Sequence, residues 1–293
     1  MADQLCDNCS AVLMGPYCSV CGQHAHASAR TLRALLHDAL HDLTHFEGRV
    51  WMSLRLLLTQ PGRLTQEYFS GRRTRFAPPF RLYLVLSVLF FALSSIVAHV
   101  DPEPVRAVGY TAPSSDAPHE KAEDCTDIHM DSPSRERLVR QLCERVSADG
   151  GRSVSHTFES YVPKAMFVFL PLVAAALALI YRRTRRYYVE HLVLVIHNHA
   201  AAFAMMSIAR LLHLLSLGLS HVRPVHTAID SFRGAFDVGV FVYVLWYTYR
   251  SLRRYYGVSR SGTTLRLIPL GIAYLVCLGL TFGATLLLSA TLT

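Results

Sequence analysis

Two Cys-x-x-Cys pairs open the chain, Cys6 with Cys9 and Cys18 with Cys21, and eight residues separate them. A Cys-x-x-Cys turn brings two sulfurs onto one ion while its backbone N–H groups stabilise their charge. Two such turns complete the tetrahedral thiolate shell that Zn²⁺ prefers. Gly15-Pro16 gives a reversing turn between the pairs, and Gly22 suits the tight turn after the second. The expectation is one structural Zn²⁺ on Cys6, Cys9, Cys18 and Cys21, in a small zinc-ribbon-like head over residues 1–28. Iron is a lesser alternative. Two disulfides or a thioredoxin-like redox pair compete with this reading; the first needs an oxidising compartment, and the second a βαβ setting that the flanking sequence lacks. A closed four-thiolate shell leaves no open position for a substrate, so the head is structural rather than catalytic. With so little core, it folds on binding metal.

A second set of chemically able residues lies where the chain is otherwise apolar. Glu190, His191, His197, Asn198, His199, Arg210 and His213 fall within twenty-four residues, and Asp237 follows in the next apolar block. At 100° per residue, Glu190 and His197 share one helical face, His191 and Asn198 the next, and His199, Arg210 and His213 the far side. Ionisable groups within a bilayer are expensive and face a bundle interior or a cavity. One reading is a proton, metal or haem site; the other is hydrogen-bonding glue between helices, with Glu190 and His191 at a hydrated interface. Asp237 is a pairing candidate for Arg210 or a histidine. No His-Glu-x-x-His pattern and no glycine-rich phosphate loop is present. His37, His41 and His45, beside Asp38 and Asp42, form a stripe that reads as a second metal set or as a solvated face. Cys125 and Cys143 share one hydrophilic loop; they are either unpaired thiols or a disulfide contributing about 3 kcal/mol. Cys277 reads as a small packing residue.

Apolar helices must carry most of these groups. The 293 residues are 52% hydrophobic and only 17% charged, against about 25% charged in soluble domains. The deficit falls in long blocks after Phe80, the pattern of bilayer-spanning segments. The expected architecture is an all-α integral membrane bundle of about five transmembrane helices, with the four-cysteine head and an amphipathic helix before it. Residues 29–78 hold the amphipathic and interfacial helices: one over Arg30–Gln60, closed by Pro61-Gly62, and a shorter one over Leu64–Ser70, stopped at Gly71. The first span occupies 79–100, a hydrophilic loop 101–161, and the remaining spans 162–293, at about Val162–Tyr181, Val189–Leu219, Phe232–Tyr249 and Leu267–Leu288. The amphipathic helix either lies on the inner leaflet, with Trp51 and its leucines buried, or packs on the bundle or a partner.

Arginine in the short connections sets the orientation. Arg72, Arg73, Arg75 and Arg81 precede span one; Arg182, Arg183, Arg185 and Arg186 follow span two; Arg250, Arg253, Arg254, Arg260 and Arg266 separate spans four and five. In a five-span chain these fall on one side, which the positive-inside rule makes cytoplasmic. The N-terminus is then cytoplasmic, in keeping with the lack of an apolar signal stretch in the first twenty residues, and the C-terminus extracytoplasmic. The net charge of +8 clusters beside the hydrophobic blocks and points to anionic lipid headgroups. Between Cys6 and Gln23 there is no lysine or arginine, so the head lacks a nucleic-acid footprint.

Several blocks in order are similar to a bacterial membrane-protein family of unknown function, domain of unknown function 3667. They are Cys6-x-x-Cys9 with Tyr17-Cys18-x-x-Cys21-Gly22-Gln23, then Arg30-Thr31 and Pro61-Gly62, then Tyr68-x-x-Gly71-Arg72-Arg73 and Phe76-x-Pro78-Pro79-Phe80. Pro163-Lys164, Leu170-Pro171-Leu172 and Tyr188-Val189-Glu190-His191-Leu192-Val193 with His197 continue the series. Ser10 departs from the glycine that often follows the second cysteine. The resemblance implies the architecture and a bacterial inner-membrane location, and carries no activity.

Function then divides in two. The first reading is a non-enzymatic anchor, docking or sensing protein whose zinc head and helical arm meet a cytoplasmic protein partner. The alternative is a small transporter or membrane enzyme using the span-three His/Glu cluster.

Overall fold

In a computed structural model, residues 5–24, 49–101, 136, 140, 152–218 and 223–292 are described. They form seven α-helices: α1 (Arg49–Thr59), α2 (Arg63–Phe69), α3 (Pro79–Val100), α4 (Arg152–Ile180), α5 (Tyr188–Gly218), α6 (Arg223–Tyr256) and α7 (Arg260–Leu292). A 3-10 turn, Arg182–Thr184, lies between α4 and α5. The stripe His37/His41/His45, the first part of the amphipathic helix, and Cys125 and Cys143 lie outside the described residues.

Among the described residues, four helices are long and apolar enough to cross a membrane: Pro79–Val100, Tyr161–Ile180, Tyr188–Gly218 and Arg260–Thr285. The expected count is about five; α6, the remaining candidate, does not qualify by hydropathy. Asp237, Tyr243, Tyr247 and Tyr249 lower its hydropathy, and Arg250, Arg253 and Arg254 load its last turns with charge. The first three spans match the apolar blocks to within a residue at each end, whereas the last begins at Arg260, seven residues before the expected Leu267.

The chain divides into two compact units, Met1–His99 with Leu170–Tyr274, and Val100–Phe169 with Leu275–Thr293. In the first, α5 is the core element. Val193, Leu194, Ile196 and Ala200 are fully buried, and α6, α2 and α1 pack against it. The pairs Glu190–Tyr255 and Asn198–Ser251 show that α5 and α6 run antiparallel. In the second unit, the Lys164 ammonium lies 4.6 Å from the Tyr161 ring centroid, and the helical residues Glu136 and Arg140 form an ion pair at 3.2 Å.

The described part of the amphipathic helix, α1, packs on the protein. Ser53 and Leu57 are fully buried, while Trp51 is 74% exposed, so the apolar stripe is not used as one face. Two tyrosines of α6 satisfy the carbonyls that the end of α1 leaves open: Tyr247 donates to Leu57 O at 2.8 Å and Tyr243 to Leu58 O at 2.6 Å. Ser53 Oγ accepts from Ala77 N at 2.8 Å, which ties α1 to the start of α3. Pro79 opens α3, where its missing N–H is one of the groups the first turn leaves free in any case.

The seven residues of α2 are mostly polar, yet Leu64, Thr65, Glu67 and Tyr68 are buried. Gln66 Nε2 donates to Arg254 O, and Arg254 Nη1 to Pro61 O, both at 3.0 Å. The helix ends at Gly71, whose φ of +91° lets Arg72 N reach back to Glu67 O at 3.1 Å.

Candidate functional site

The four N-terminal cysteines are brought to one point by two nearly identical turns. In the first, Cys6 N donates to Ala11 O and Ser10 N to Cys6 O; in the second, Cys18 N donates to Gln23 O and Gly22 N to Cys18 O, all at 2.8 Å. Antiparallel bridges Leu5–Val12 and Tyr17–His24 close the two turns. Each turn needs a left-handed residue after its second cysteine. Gly22 supplies it at φ +73°, and Ser10 is held at +62°, where a side chain is disfavoured. This is where the sequence departs from the glycine its resemblance leads one to expect.

All four Sγ atoms lie within 4.8 Å of one another, and this is the one group of three or more metal-capable side chains among the described residues. Cys6 to Cys21 is 3.6 Å and Cys9 to Cys18 is 3.5 Å, and all four are free thiols. These distances are too long for disulfides. They are close to the edge of a tetrahedron with metal–sulfur bonds of about 2.3 Å, roughly 3.8 Å. The electrostatics favour a cation. Backbone N–H groups of Cys21 and Val20 lower the Cys18 thiol. Burial opposes the Cys21 thiolate, yet hydrogen bonds from the Asn8 side chain and the Gln23 backbone help bring it down to about 6. The Ala11 N–H favours the Cys9 thiolate, but burial and the neighbouring sulfurs push that thiol up to about 12. Sulfurs this close resist simultaneous ionisation until a positive ion sits among them. The donor set therefore fits a metal ion.

The head is seated on the connection between α2 and α3. Gln23, 6% exposed, donates from Nε2 to Gly71 O at 2.7 Å and accepts more weakly from Thr74 Oγ1 at 3.4 Å. A Cβ at Gly71 would stand 2.6 Å from Asp7 Cβ, so only glycine lets the head approach this closely. Beside it, buried Glu67 is held by Arg63 at 2.8 Å and by Arg72. The Arg72 hydrogen bond, helped by Arg63, keeps the Glu67 carboxyl below the usual carboxylate range against the effect of burial. Sequence reasoning gave Gln23 and Glu67 no role and Gly71 only that of a helix stop. The available signal for Gln23 and Gly71 was their presence in the Cys-Gly-Gln and Gly-Arg-Arg blocks; Glu67 lies in neither.

The polar residues of α5 are dispersed rather than gathered. Glu190 sits at the third position of the helix and accepts from Tyr187 N, its carboxylate also taking Arg186 Nη1 at 2.7 Å and Tyr255 Oη at 2.6 Å. His191 Nδ1 bonds Tyr256 Oη, and His197 Nδ1 bonds Thr65 Oγ1 of α2 at 2.8 Å. Asn198 Oδ1 accepts from Ser251 Oγ at 2.7 Å. His199 Nδ1 bonds Val195 O at 2.8 Å, and its ring stacks near Tyr274. His213 is buried and Asp237 exposed. Arg210 lies twenty residues beyond Glu190, about 30 Å along the helix axis. Among the described residues no ion pair joins Arg210 to Asp237, so that pairing is not formed.

The polar groups of the first unit that are tied to arginine share one end with the head. Gln66 and Pro61 reach Arg254, Arg186 lies 4.6 Å from the Tyr255 ring, and Arg266 lies 5.1 Å from the Tyr181 ring. The three arginine-bearing connections read from the sequence thus converge.

No curated protein and no solved structure matches the chain. One family model does, over residues 47–91. That match is narrower than the resemblance carried by the sequence blocks. It takes in α1, α2, the seat of the head and the first half of α3, and leaves out the cysteines. Residues 47–91 of this chain are thus similar to the family described as Protein of unknown function (DUF3667).

Proposed function

We propose that this chain is a multi-pass protein of the bacterial inner membrane, a non-enzymatic anchor with a docking or sensing role, whose zinc-ribbon-like head holds one structural Zn²⁺ through Cys6, Cys9, Cys18 and Cys21. The observation that carries this reading is the set of four free sulfurs within 4.8 Å of one another. They form a complete shell with no position left for a substrate. The seating of the head through Gln23 supports a sensing role, since the state of the head reaches α2 and through it Thr65 and His197. A cytoplasmic protein partner would meet this assembled end rather than a swinging arm.

A five-span path is favoured by the α5–α6 pair. An antiparallel neighbour as long as a spanning helix crosses the same slab, whatever its mean hydropathy. The convergence of the arginine connections supports a cytoplasmic head and N-terminus and an extracytoplasmic C-terminus. The 31 residues of α5 measure about 46 Å as a helix, against about 30 Å of hydrocarbon. The excess of about ten residues falls at the head end, where Asn198 pairs with Ser251 beside Arg250, Arg253 and Arg254. Glu190, His191 and His197 then stand outside the hydrocarbon as part of a membrane-proximal cup built with α1 and α2, and structural bonding accounts for them.

The alternative, a transporter or membrane enzyme, rests on His197. Its Nε2 is buried and has no hydrogen-bond partner. Metal content per polypeptide in detergent-purified protein, repeated after Cys18→Ser/Cys21→Ser, decides between these. One zinc, lost in the variant, is the expected result. No metal in the intact protein would overturn the head assignment, and metal surviving in the variant would move the function to the histidines.

A further inference from the structure

The head exposes an unusual amount of apolar surface for its size. Leu5 is 58% exposed, Met14 94%, Tyr17 63% and Val20 71%, and Val12 is also exposed. Leu5 and Val12 are bridge partners and so lie side by side. Contiguous apolar exposure on a soluble surface marks an interaction site. The place of the head in the chain identifies what covers it. Its anchor points, Gly71 and Thr74, precede by five to eight residues the start at Pro79 of a helix apolar enough to span a membrane. Even fully extended, the five residues from Thr74 cover about 17 Å, and the bond from Ala77 N to Ser53 Oγ keeps that connection folded. The head is therefore held beside the level at which α3 enters the bilayer. It carries no lysine or arginine between Cys6 and Gln23, whereas Arg72, Arg73 and Arg75 stand on the very connection that seats it.

We propose that the four-cysteine head rests on the bilayer surface, with Leu5, Val12, Met14, Tyr17 and Val20 set among the headgroups of anionic lipid and the arginine cluster pairing with their phosphates. Tyrosine and short aliphatic side chains suit that zone, and the neighbouring arginines supply the attraction that the head lacks. The head then reports on the membrane surface as well as on metal. This inference rests on the bilayer reading given above.

The test uses the full-length, metal-loaded protein in vesicles of phosphatidylglycerol and phosphatidylethanolamine that include a lipid with a diazirine near the headgroup. Photolabelled peptides are mapped by mass spectrometry. Label is expected on the head peptide as well as on α3. The double variant Met14→Asp/Val20→Asp is expected to lose head label roughly tenfold, since two inserted apolar side chains amount to more than 1.4 kcal/mol, while α3 label and bound metal are unchanged. Label on α3 with none on the head of the native protein would overturn the inference and leave the bilayer reading intact. Absence of label from α3 as well would overturn both.

Discussion

At the scale of single residues, two positions in and beside the four-cysteine head are held by local physical chemistry that can be measured. Ser10 occupies a left-handed conformation that its twin in the second turn fills with Gly22. Ser10→Gly should stabilise the head by up to about 1 kcal/mol, seen as slower loss of metal to a chelator; faster loss would contradict the strain argument. Glu67 is the second. Its carboxyl is lowered in the folded protein, chiefly by Arg72, so the unfolded chain binds more protons in acid. Its contribution is complete above the unfolded value of about 4.3 and is lost as pH falls through the lower folded value. Glu67→Gln should cost roughly 1–3 kcal/mol at neutral pH. It should also flatten the acid limb of a thermal-stability profile below about pH 4, and an unchanged limb would remove Glu67 from the account.

At the scale of elements, α2 and the connection after it are the joint of the molecule. This short helix touches α5 through Thr65 and His197 and α6 through Gln66 and Arg254, and at its end it receives the head through Gly71. Gly71→Ala adds a methyl 2.6 Å from Asp7 Cβ at a φ of +91°. It should cost roughly 1–3 kcal/mol. The four cysteines do not depend on this contact, so metal should remain bound while hydrogen exchange and protease sensitivity rise across residues 5–24. Metal loss together with exposure would mean that the head has no independent fold.

At the scale of the whole molecule, the arrangement of charge decides topology. With the arginine connections on one side, cysteines introduced singly at 183 and 258 should be protected from an impermeant thiol reagent added outside intact cells. Those at 115 and 220 should react. Reaction at 258 as well as at 220 would show that α6 does not cross and would reduce the count to four. In the proposed topology the head, α1, α2 and the first turns of α5 form one body on the cytoplasmic face, where a soluble partner would meet it.

Much of this was legible in the sequence, for a physical reason. Hydropathy is a sum over neighbours in the chain, so the apolar blocks at 79–100, 162–181, 189–219 and 267–288 announced helices able to cross a bilayer, while the block at 232–249 announced a helix too polar to qualify. Cys-x-x-Cys spacing is equally local, because two residues between sulfurs fix the turn that aims them. Arginine in the short connections is a property of the chain alone, and it stated which ends belong together. What sequence could not state were bonds between residues far apart: Gln23 to Gly71, Thr65 to His197, Tyr247 to Leu57 and Ser251 to Asn198. A polar residue is buried only when a partner across the fold satisfies it. Nothing in the chain around Thr65 and Glu67 therefore announces that they are buried, and the partners of His191 and His197, Tyr256 and Thr65, lie too far along the chain to be read from it.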